Sequence, residues 1–181
     1  TPKPHNEIKV IYFLYVLTRA LNNFKTVILS VAGCSILDIQ NHLSKFKKKN
    51  NIVLMYGFQS EPTKISDNNI LRLNVLKNNF KNNSIGFMDH TDGSSKYAKY
   101  IPFASLSTGI SYLEKHITLD HNLKLEDSVS ALSIDKFHEF VEEFREVEKS
   151  LGKNKIIISK KEKIYKNIAA KNVILNKNLK K

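Results

Sequence analysis

The sequence predicts an α/β fold built from parallel βα units. Four short apolar runs alternate with helix-like periods, and the runs end near Ser30, Gly57, Met88 and Glu114. Successive ends lie 27, 31 and 26 residues apart, which is the length of one strand with its crossover helix. This pattern fits either an open doubly wound sheet or half of an eight-stranded barrel, since a complete barrel takes about 250 residues.

The predicted strands are the four apolar runs themselves, at residues 26–30 (TVILS), 51–57 (NIVLMYG), 84–88 (SIGFM) and 110–114 (ISYLE). Each run is short and apolar, and turn or capping residues follow it, as is typical of buried strands.

A helix is predicted after each strand. Ser35 is the expected N-cap of the first helix, and Asp67 that of the second. The third helix covers residues 95–107, and Pro102 weakens its middle. The fourth helix starts after Ser133 and has one apolar face, formed by Phe137, Phe140, Val141, Phe144, Val147 and Leu151.

The chain divides into three predicted stretches. Residues 1–25 are a divergent lead-in with a helix, residues 26–152 hold the four βα units, and residues 153–181 form a basic, irregular linker. Because the chain does not begin with Met, we expect it to be an internal piece of something longer.

The composition excludes several classes of protein. Of the 181 residues, 41% are hydrophobic and 25% are charged, as in an ordinary globular domain. The longest apolar run, Val10 to Leu17, is far shorter than the ~20 residues that cross a bilayer. The single cysteine, Cys34, excludes a disulfide framework. We therefore expect a cytoplasmic protein with no membrane segment.

The net charge of +12 raises the question of a nucleic-acid partner. The lysines are spread over the whole chain, however, and arginine, which suits phosphate and base recognition, occurs only at Arg19, Arg72 and Arg145. We favour a solvated basic surface and expect no nucleic-acid partner.

Two neighbouring strand ends carry an acid and a histidine. Asp89 and His90 end the third strand, and Glu114 and His116 end the fourth. Sites in parallel sheets collect at this edge, where two imidazoles can share a divalent ion. The alternative is that each histidine only caps its strand. Likewise, Ser30 after the first strand is either an anion contact or a plain strand-to-loop transition.

Several motifs at these strand ends occur in a familiar order. The ILS strand end at Ser30 is followed by EPT at residues 61–63, GFMDHT at residues 86–91 and LEKHITLD at residues 113–120. They resemble the Y-P-T, G-x-S-D-H-T and E-K-H-F-T-L-D motifs of the N-acetylneuraminate (sialic acid) synthase family, which includes spore-coat polysaccharide relatives. The resemblance extends from Val27 to about Lys153.

The resemblance implies a TIM-type (βα)8 barrel, of which this chain would be the C-terminal half. The family condenses phosphoenolpyruvate with an N-acetylated amino sugar to a nine-carbon sugar acid for surface polysaccharide, and it is usually homodimeric. It uses a divalent metal, typically Mn²⁺. By resemblance the metal ligands are His90 and His116, the catalytic residues are Glu114 and Asp89, and the substrate contacts are Ser30, Gln59 and Asp127.

The chain also departs from the family pattern. Met88 stands in place of a serine that would hold phosphoenolpyruvate, and Gln59 and Glu61 stand in place of Asn and Tyr. The carboxylate of Glu61 would repel an anionic substrate unless it turns away. A different sugar or a weak activity is therefore expected.

The resemblance begins at the fifth strand of the barrel. We expect the strands that supply basic residues for phosphoenolpyruvate to lie outside this sequence. Residues 168–181 resemble only the opening of the family's C-terminal antifreeze-like domain. We expect the isolated chain to be inactive unless a second chain supplies the other half-barrel. The alternative is a non-catalytic remnant or split subunit that binds metal or sugar phosphate.

Overall fold

The computed structural model describes residues 16–46 and 52–171. The chain divides into two compact units, Thr1–Leu151 and Gly152–Lys181. The predicted lead-in up to residue 15, residue 51 at the start of the second predicted strand and residues 172–181 lie outside the described residues. The antifreeze-like opening over residues 168–181 therefore stays a prediction.

The first unit is built on a parallel four-stranded sheet. Its strands are β1 (Val27–Ser30), β2 (Ile52–Tyr56), β3 (Ser84–Asp89) and β4 (Tyr112–Lys115), and they pair in the order β1-β2-β3-β4. The prediction of four parallel strands in sequence order is confirmed. The observed strand ends fall within one residue of the predicted ones.

Helices alternate with the strands. They are α1, described over residues 16–23, α2 (Ile36–Ser44), α3 (Arg72–Asn79), α4 (Tyr97–Leu106) and α5 (Ile134–Ser150). After β4, the short strands β5 (Ile117–Thr118) and β6 (Leu132–Ser133) pair in parallel. The second unit contains α6 (Lys160–Ala169), which begins with a capping box between Ser159 and Glu162.

The two predicted helix caps have different outcomes. Ser35 caps α2, because its hydroxyl accepts from the Asp38 N–H while the Asp38 carboxylate accepts from the Ser35 N–H. The prediction for Asp67 is wrong: Asp67 ends a short 3-10 turn, and α3 begins only at Arg72. Asn69 adopts a left-handed φ of 46°, which interrupts the helical path between them.

The sheet has two faces with different surroundings. On the helix-facing side, Ile52, Leu54 and Phe87 are fully buried in the main core, together with Leu43 of α2 and Leu73 of α3. The other side carries the alternate residues of each strand, and we call it the site face. There Val53, Met55 and Met88 form a small second cluster. Near the outer strands, Ile28 and Tyr112 of the site face remain exposed.

Helix α5 packs on α4 through aromatic rings. Phe103 stacks on Phe140 with ring centroids 5.8 Å apart, and Phe144 closes the cluster. Beside this cluster lies a cavity of about 460 Å³ along the outer edge of β4, lined partly by Leu113 and Val141. Among the described residues no strand pairs with this edge of β4 or with the outer edge of β1.

Candidate functional site

The register of β3 and β4 brings two histidines to the same level of the sheet. Met88 pairs with Glu114 and Asp89 with Lys115, so His90 and His116 both follow immediately after the last paired residues. Their ring centroids are 4.8 Å apart, and the ring planes are inclined by 58°. The prediction that the two imidazoles lie together at one edge of the sheet is confirmed.

The two imidazoles carry nitrogens without partners. In the described residues, the only buried side-chain polar atoms that lack a hydrogen-bond partner are Nδ1 of His90 and Nε2 of His116. A buried polar atom in this condition costs about 1–3 kcal/mol. A cation bound between the rings would remove that cost, because each neutral ring can offer a lone pair from this nitrogen.

The backbone of His90 is held by two distant segments. Its carbonyl accepts from the Thr63 N–H and from the Ser130 hydroxyl, both at 2.8 Å. Thr63 is itself anchored, because its hydroxyl contacts the carbonyls of Phe58 at 2.6 Å and Ser60 at 3.0 Å. The loop after β2 thereby supports the end of β3.

A second support is the segment 127–132, which we call the crossing segment because it runs over the ends of β3 and β4. The Leu132 N–H donates to the His116 carbonyl at 2.9 Å, and the Gly93 N–H donates to the Val129 carbonyl at 2.8 Å. Gly93 lies against this segment so closely that an added Cβ would be 1.9 Å from the Ala131 oxygen. The loop after β3 and the crossing segment are therefore tightly joined.

Asp127 opens the crossing segment and faces His116. Its Oδ2 lies 3.7 Å from Nδ1 of His116, and its φ is 60°, in the left-handed region that aspartate tolerates better than most residues. A carboxylate on this side favours the proton on Nδ1 and leaves Nε2 free as a ligand. The contact of Asp127 with a sugar, implied by the resemblance, stays a prediction.

Asp89 has its carboxylate engaged away from the imidazoles. One oxygen accepts from the Lys115 ammonium at 2.5 Å, and the other accepts from the Thr91 hydroxyl at 2.6 Å. Asp89 and Lys115 share the alternation of the helix-facing residues Phe87 and Leu113. These contacts are those of a positioning residue, and a catalytic role for Asp89 stays a prediction.

The remaining predicted site residues lie at the same edge of the sheet, but none of the hydrogen bonds among the described residues joins them to the imidazoles. Glu114 is exposed on the site face next to Met88, and its charge reaches His90. Ser30 ends β1 on the same face, where β2 separates it from β3 by ~10 Å in total. Gln59 is exposed in the loop after β2. The roles of these three residues stay predictions.

The electrostatic setting keeps His90 neutral. Burial lowers the pKa of the His90 ring below its ordinary value, and the neighbouring His116 ring lowers it further. The carboxylates of Asp127 and Glu114 oppose this shift in pKa but do not cancel it. A neutral imidazole is the form that binds a metal ion.

The donor set fits a divalent transition metal. Within residues 16–46 and 52–171 no group of three or more His, Cys, Asp or Glu side chains is arranged to hold a metal ion. An ion bound by the imidazoles of His90 and His116 would keep coordination positions for water and substrate oxygens. Imidazole nitrogen favours transition metals over Mg²⁺ or Ca²⁺.

Sequence reasoning missed the residues that hold the histidines in place. Thr63 and Ser130 reach His90 from 27 and 40 positions away along the chain, and no local pattern announces such contacts. The hydrogen bond between Asp89 and Thr91 could have been predicted from the sequence, because an aspartate commonly accepts from the N–H and hydroxyl of the residue two positions later. The Asp89–Lys115 pair could be found only once the register of β3 and β4 was known.

Fold and site together define a class: a parallel βα sheet whose carboxyl edge carries a pair of imidazoles. A family model described as the NeuB family matches residues 9–156. The chain therefore belongs to the NeuB family, and the resemblance inferred from the motifs is confirmed.

Three relatives illustrate the match. The chain is 28% identical over 182 residues to N,N'-diacetyllegionaminic acid synthase of Campylobacter jejuni, covering 98% of this chain and 52% of that protein. It is 31% identical over 138 residues to pseudaminic acid synthase of the same species, covering 76% of this chain and 38% of that protein. A crystal structure of N-acetylneuraminic acid synthetase from Leptospira borgpetersenii, in complex with citrate, matches with a TM-score of 0.74 at 26% identity.

The structural match decides between the two parallel folds left open by the sequence. It covers 90% of this chain and 56% of the Leptospira chain, and it identifies the sheet as a half-barrel of the TIM type. The match spans about half the length of two curated relatives, 49% and 52%, and 38% of pseudaminic acid synthase. None of the helices in the described part of the chain has the length and apolar character that a bilayer crossing requires.

The lowered pKa of His90 predicts a pH dependence of the metal-free protein. Because the pKa is lower in the folded chain than in the unfolded chain, the unfolded chain binds the proton more readily, and stability falls as pH drops below about 6.5. NMR titration of the His90 ring should give a midpoint below that value. A midpoint at or above it would contradict the burial argument.

Gly93→Ala should displace the crossing segment. The added Cβ meets the Ala131 oxygen, and we expect a loss of about 1–3 kcal/mol in unfolding free energy. Changed NMR shifts of the His90 and His116 rings should accompany this loss. Gly33→Ala is the matched control, because its φ of 73° is strained but its Cβ would meet no atom within 4 Å. Unchanged ring shifts in Gly93→Ala would sink the prediction.

Proposed function

We propose that this chain carries the metal-binding half of a synthase that condenses phosphoenolpyruvate with an N-acetylated amino sugar. The product is a nine-carbon sugar acid for surface polysaccharide. One observation carries the proposal: the buried, unpartnered Nδ1 of His90 and Nε2 of His116 belong to rings 4.8 Å apart at the carboxyl edge of the half-barrel. The kinship with synthases of pseudaminic and legionaminic acids supports the substrate class.

The proposed roles of the side chains follow from the needs of the reaction. A divalent ion, Mn²⁺ by resemblance, would act as a Lewis acid at the sugar aldehyde when bound by His90 and His116. Glu114 is the carboxylate on the site face below the imidazoles. We assign it the role of general base, which accepts a proton from the attacking water. Asp127 and Ser30 would orient the sugar and phosphoenolpyruvate, respectively.

The described strands present few groups that could hold phosphoenolpyruvate. Within the described strands β1–β4, no residue on the site face is lysine or arginine, and Lys115 points to the helix side with Asp89. A strongly anionic substrate needs fixed cationic or hydroxyl donors. We therefore infer that further βα units, pairing with the free edges of β1 and β4, complete the active barrel.

A second candidate function is a metal-binding remnant without synthase activity. The observation that favours it is Met88, which is buried against Met55 and Val53 at the place where the family has a serine. A thioether there offers no hydroxyl to the phosphate of phosphoenolpyruvate.

Metal binding should depend on both imidazoles. His90→Ala and His116→Ala should each abolish Mn²⁺ binding, because a single imidazole leaves the ion with one protein ligand. His42→Ala is the control, since His42 lies on α2 and contacts the Asp38 carbonyl. Isothermal titration calorimetry measures the affinity of all three variants. Equal affinities in the three would rule out the shared site.

The 181-residue chain alone should not release phosphate from phosphoenolpyruvate, in the presence of Mn²⁺ and N-acetylmannosamine or related amino sugars. The site face of the described strands β1–β4 carries no lysine or arginine, and the diffuse charge of +12 does not hold an anion in a reactive geometry. A phosphate-release assay checks this. Sugar-dependent turnover by the chain alone would overturn the expectation.

The same assay separates the two candidate functions. Turnover after addition of a polypeptide with four further βα units would support the synthase. Continued absence of turnover in that mixture, with Mn²⁺ binding intact, would favour the remnant.

A further inference from the structure

We propose that the buried ion pair between Asp89 and Lys115 is a positioning device that sets the separation and facing of the His90 and His116 rings. The inference rests on the proposed metal site and adds two residues that act through the ligands rather than on the ion. Asp89 and Lys115 are thus assigned as positioning residues.

The place of the pair in the sheet carries the argument. Asp89 and Lys115 are register partners, and they are the last paired residues of β3 and β4. His90 and His116 each come one residue later, beyond the hydrogen-bonded ladder of these two strands. The last rigid link between the two histidine positions within the sheet is therefore the side-chain bridge directly beneath them.

The bridge is buried and has little freedom to rearrange. The side chain of Lys115 is 2% exposed and that of Asp89 is fully buried. The second oxygen of Asp89 accepts from both the N–H and the hydroxyl of Thr91, at 3.1 and 2.6 Å. One carboxylate oxygen of Asp89 thus joins the two residues that flank His90, Asp89 and Thr91. The other oxygen bonds the Lys115 ammonium and so links β3 to β4.

Stability alone does not call for an ion pair at this position. The preceding residues on the same side, Phe87 and Leu113, belong to the apolar core. Replacing a buried ion pair with apolar residues is often neutral or stabilising, whereas an ion pair has a preferred distance and direction. A preferred distance and direction is the property that residues need in order to fix the spacing of His90 and His116.

Charge balance gives the pair a second consequence for the same site. An unpaired Lys115 ammonium next to the imidazoles would repel a divalent cation. Asp89 pairs with this ammonium at 2.5 Å, and the carboxylates of Asp127, Glu114 and Asp89 all favour positive charge at His90.

The test compares the wild-type chain with the neutral double variant Asp89→Asn/Lys115→Met, which leaves no lone buried charge. Mn²⁺ affinity is measured by electron paramagnetic resonance, and folding is checked by circular dichroism. We expect about a 10- to 100-fold loss of affinity, the range found for groups that orient metal-binding histidines. The nuclear Overhauser contact between the His90 and His116 rings should weaken in the metal-free protein.

Lys99→Met is the matched control. Lys99 also bridges two elements, from α4 to Glu139 and Glu143 of α5, at 3.0 and 3.1 Å. Its loss should leave Mn²⁺ affinity within about twofold of wild type. Thr91→Val is a milder variant that keeps the ion pair but removes one donor to Asp89, and it should lower the affinity by about threefold or more.

The outcomes separate this inference from the proposed function. If the wild type binds Mn²⁺ and the double variant binds equally well with its ring contact intact, the positioning role is wrong. If the double variant does not fold, unchanged affinity and ring contact in Thr91→Val overturn it. If the wild type binds no Mn²⁺, the proposed metal site is wrong. The positioning role is then tested by the nuclear Overhauser contact between the two rings, and an unchanged contact in the double variant would overturn it.

Discussion

The arrangement depends on one constraint, the parallel register of β3 and β4. This register places His90 and His116 at the same level and on the same face of the sheet. A shift of one residue would turn one imidazole to the helix side and separate the two rings. The supports described above act on this pairing: the Thr63 and Ser130 donors at His90, and the Leu132 N–H at His116.

One face of the sheet packs the hydrophobic core, and the other face carries the candidate site. The helix-facing side buries most of the apolar residues and also the Asp89–Lys115 pair. Among the described residues, the site face buries the small cluster of Val53, Met55 and Met88 below the polar edge. Both histidines follow directly after paired strands, and hydrogen bonds hold their backbone carbonyls. This support keeps the two rings 4.8 Å apart despite the cost of burying two unpartnered nitrogens.

Much of the fold was predictable because the information was local. The apolar runs located the four strands of the main sheet but not the two-residue strands β5 and β6. Ser35 correctly marked the start of α2, since a capping box depends on residues three apart. Asp67 has the residue type of a helix cap, and on that local ground it was wrongly predicted to start α3. The left-handed Asn69 that interrupts the helix has no recognisable pattern in the sequence. The choice between a half-barrel and an open sheet required comparison with a solved relative, because both folds have the same βα periodicity. The histidines were predictable from their motifs, but Thr63, Ser130 and Lys115 act across the fold, so their roles depend on tertiary structure.

The central claim is that the unpartnered nitrogens of His90 and His116 share one ion. Anomalous diffraction at the manganese edge, from crystals of the chain soaked in MnCl₂, tests it most directly. The account predicts a single strong peak between the two rings, at bonding distance from Nδ1 of His90 and Nε2 of His116. A peak bound to only one of these rings, or manganese bound elsewhere while the space between the rings holds none, would contradict it.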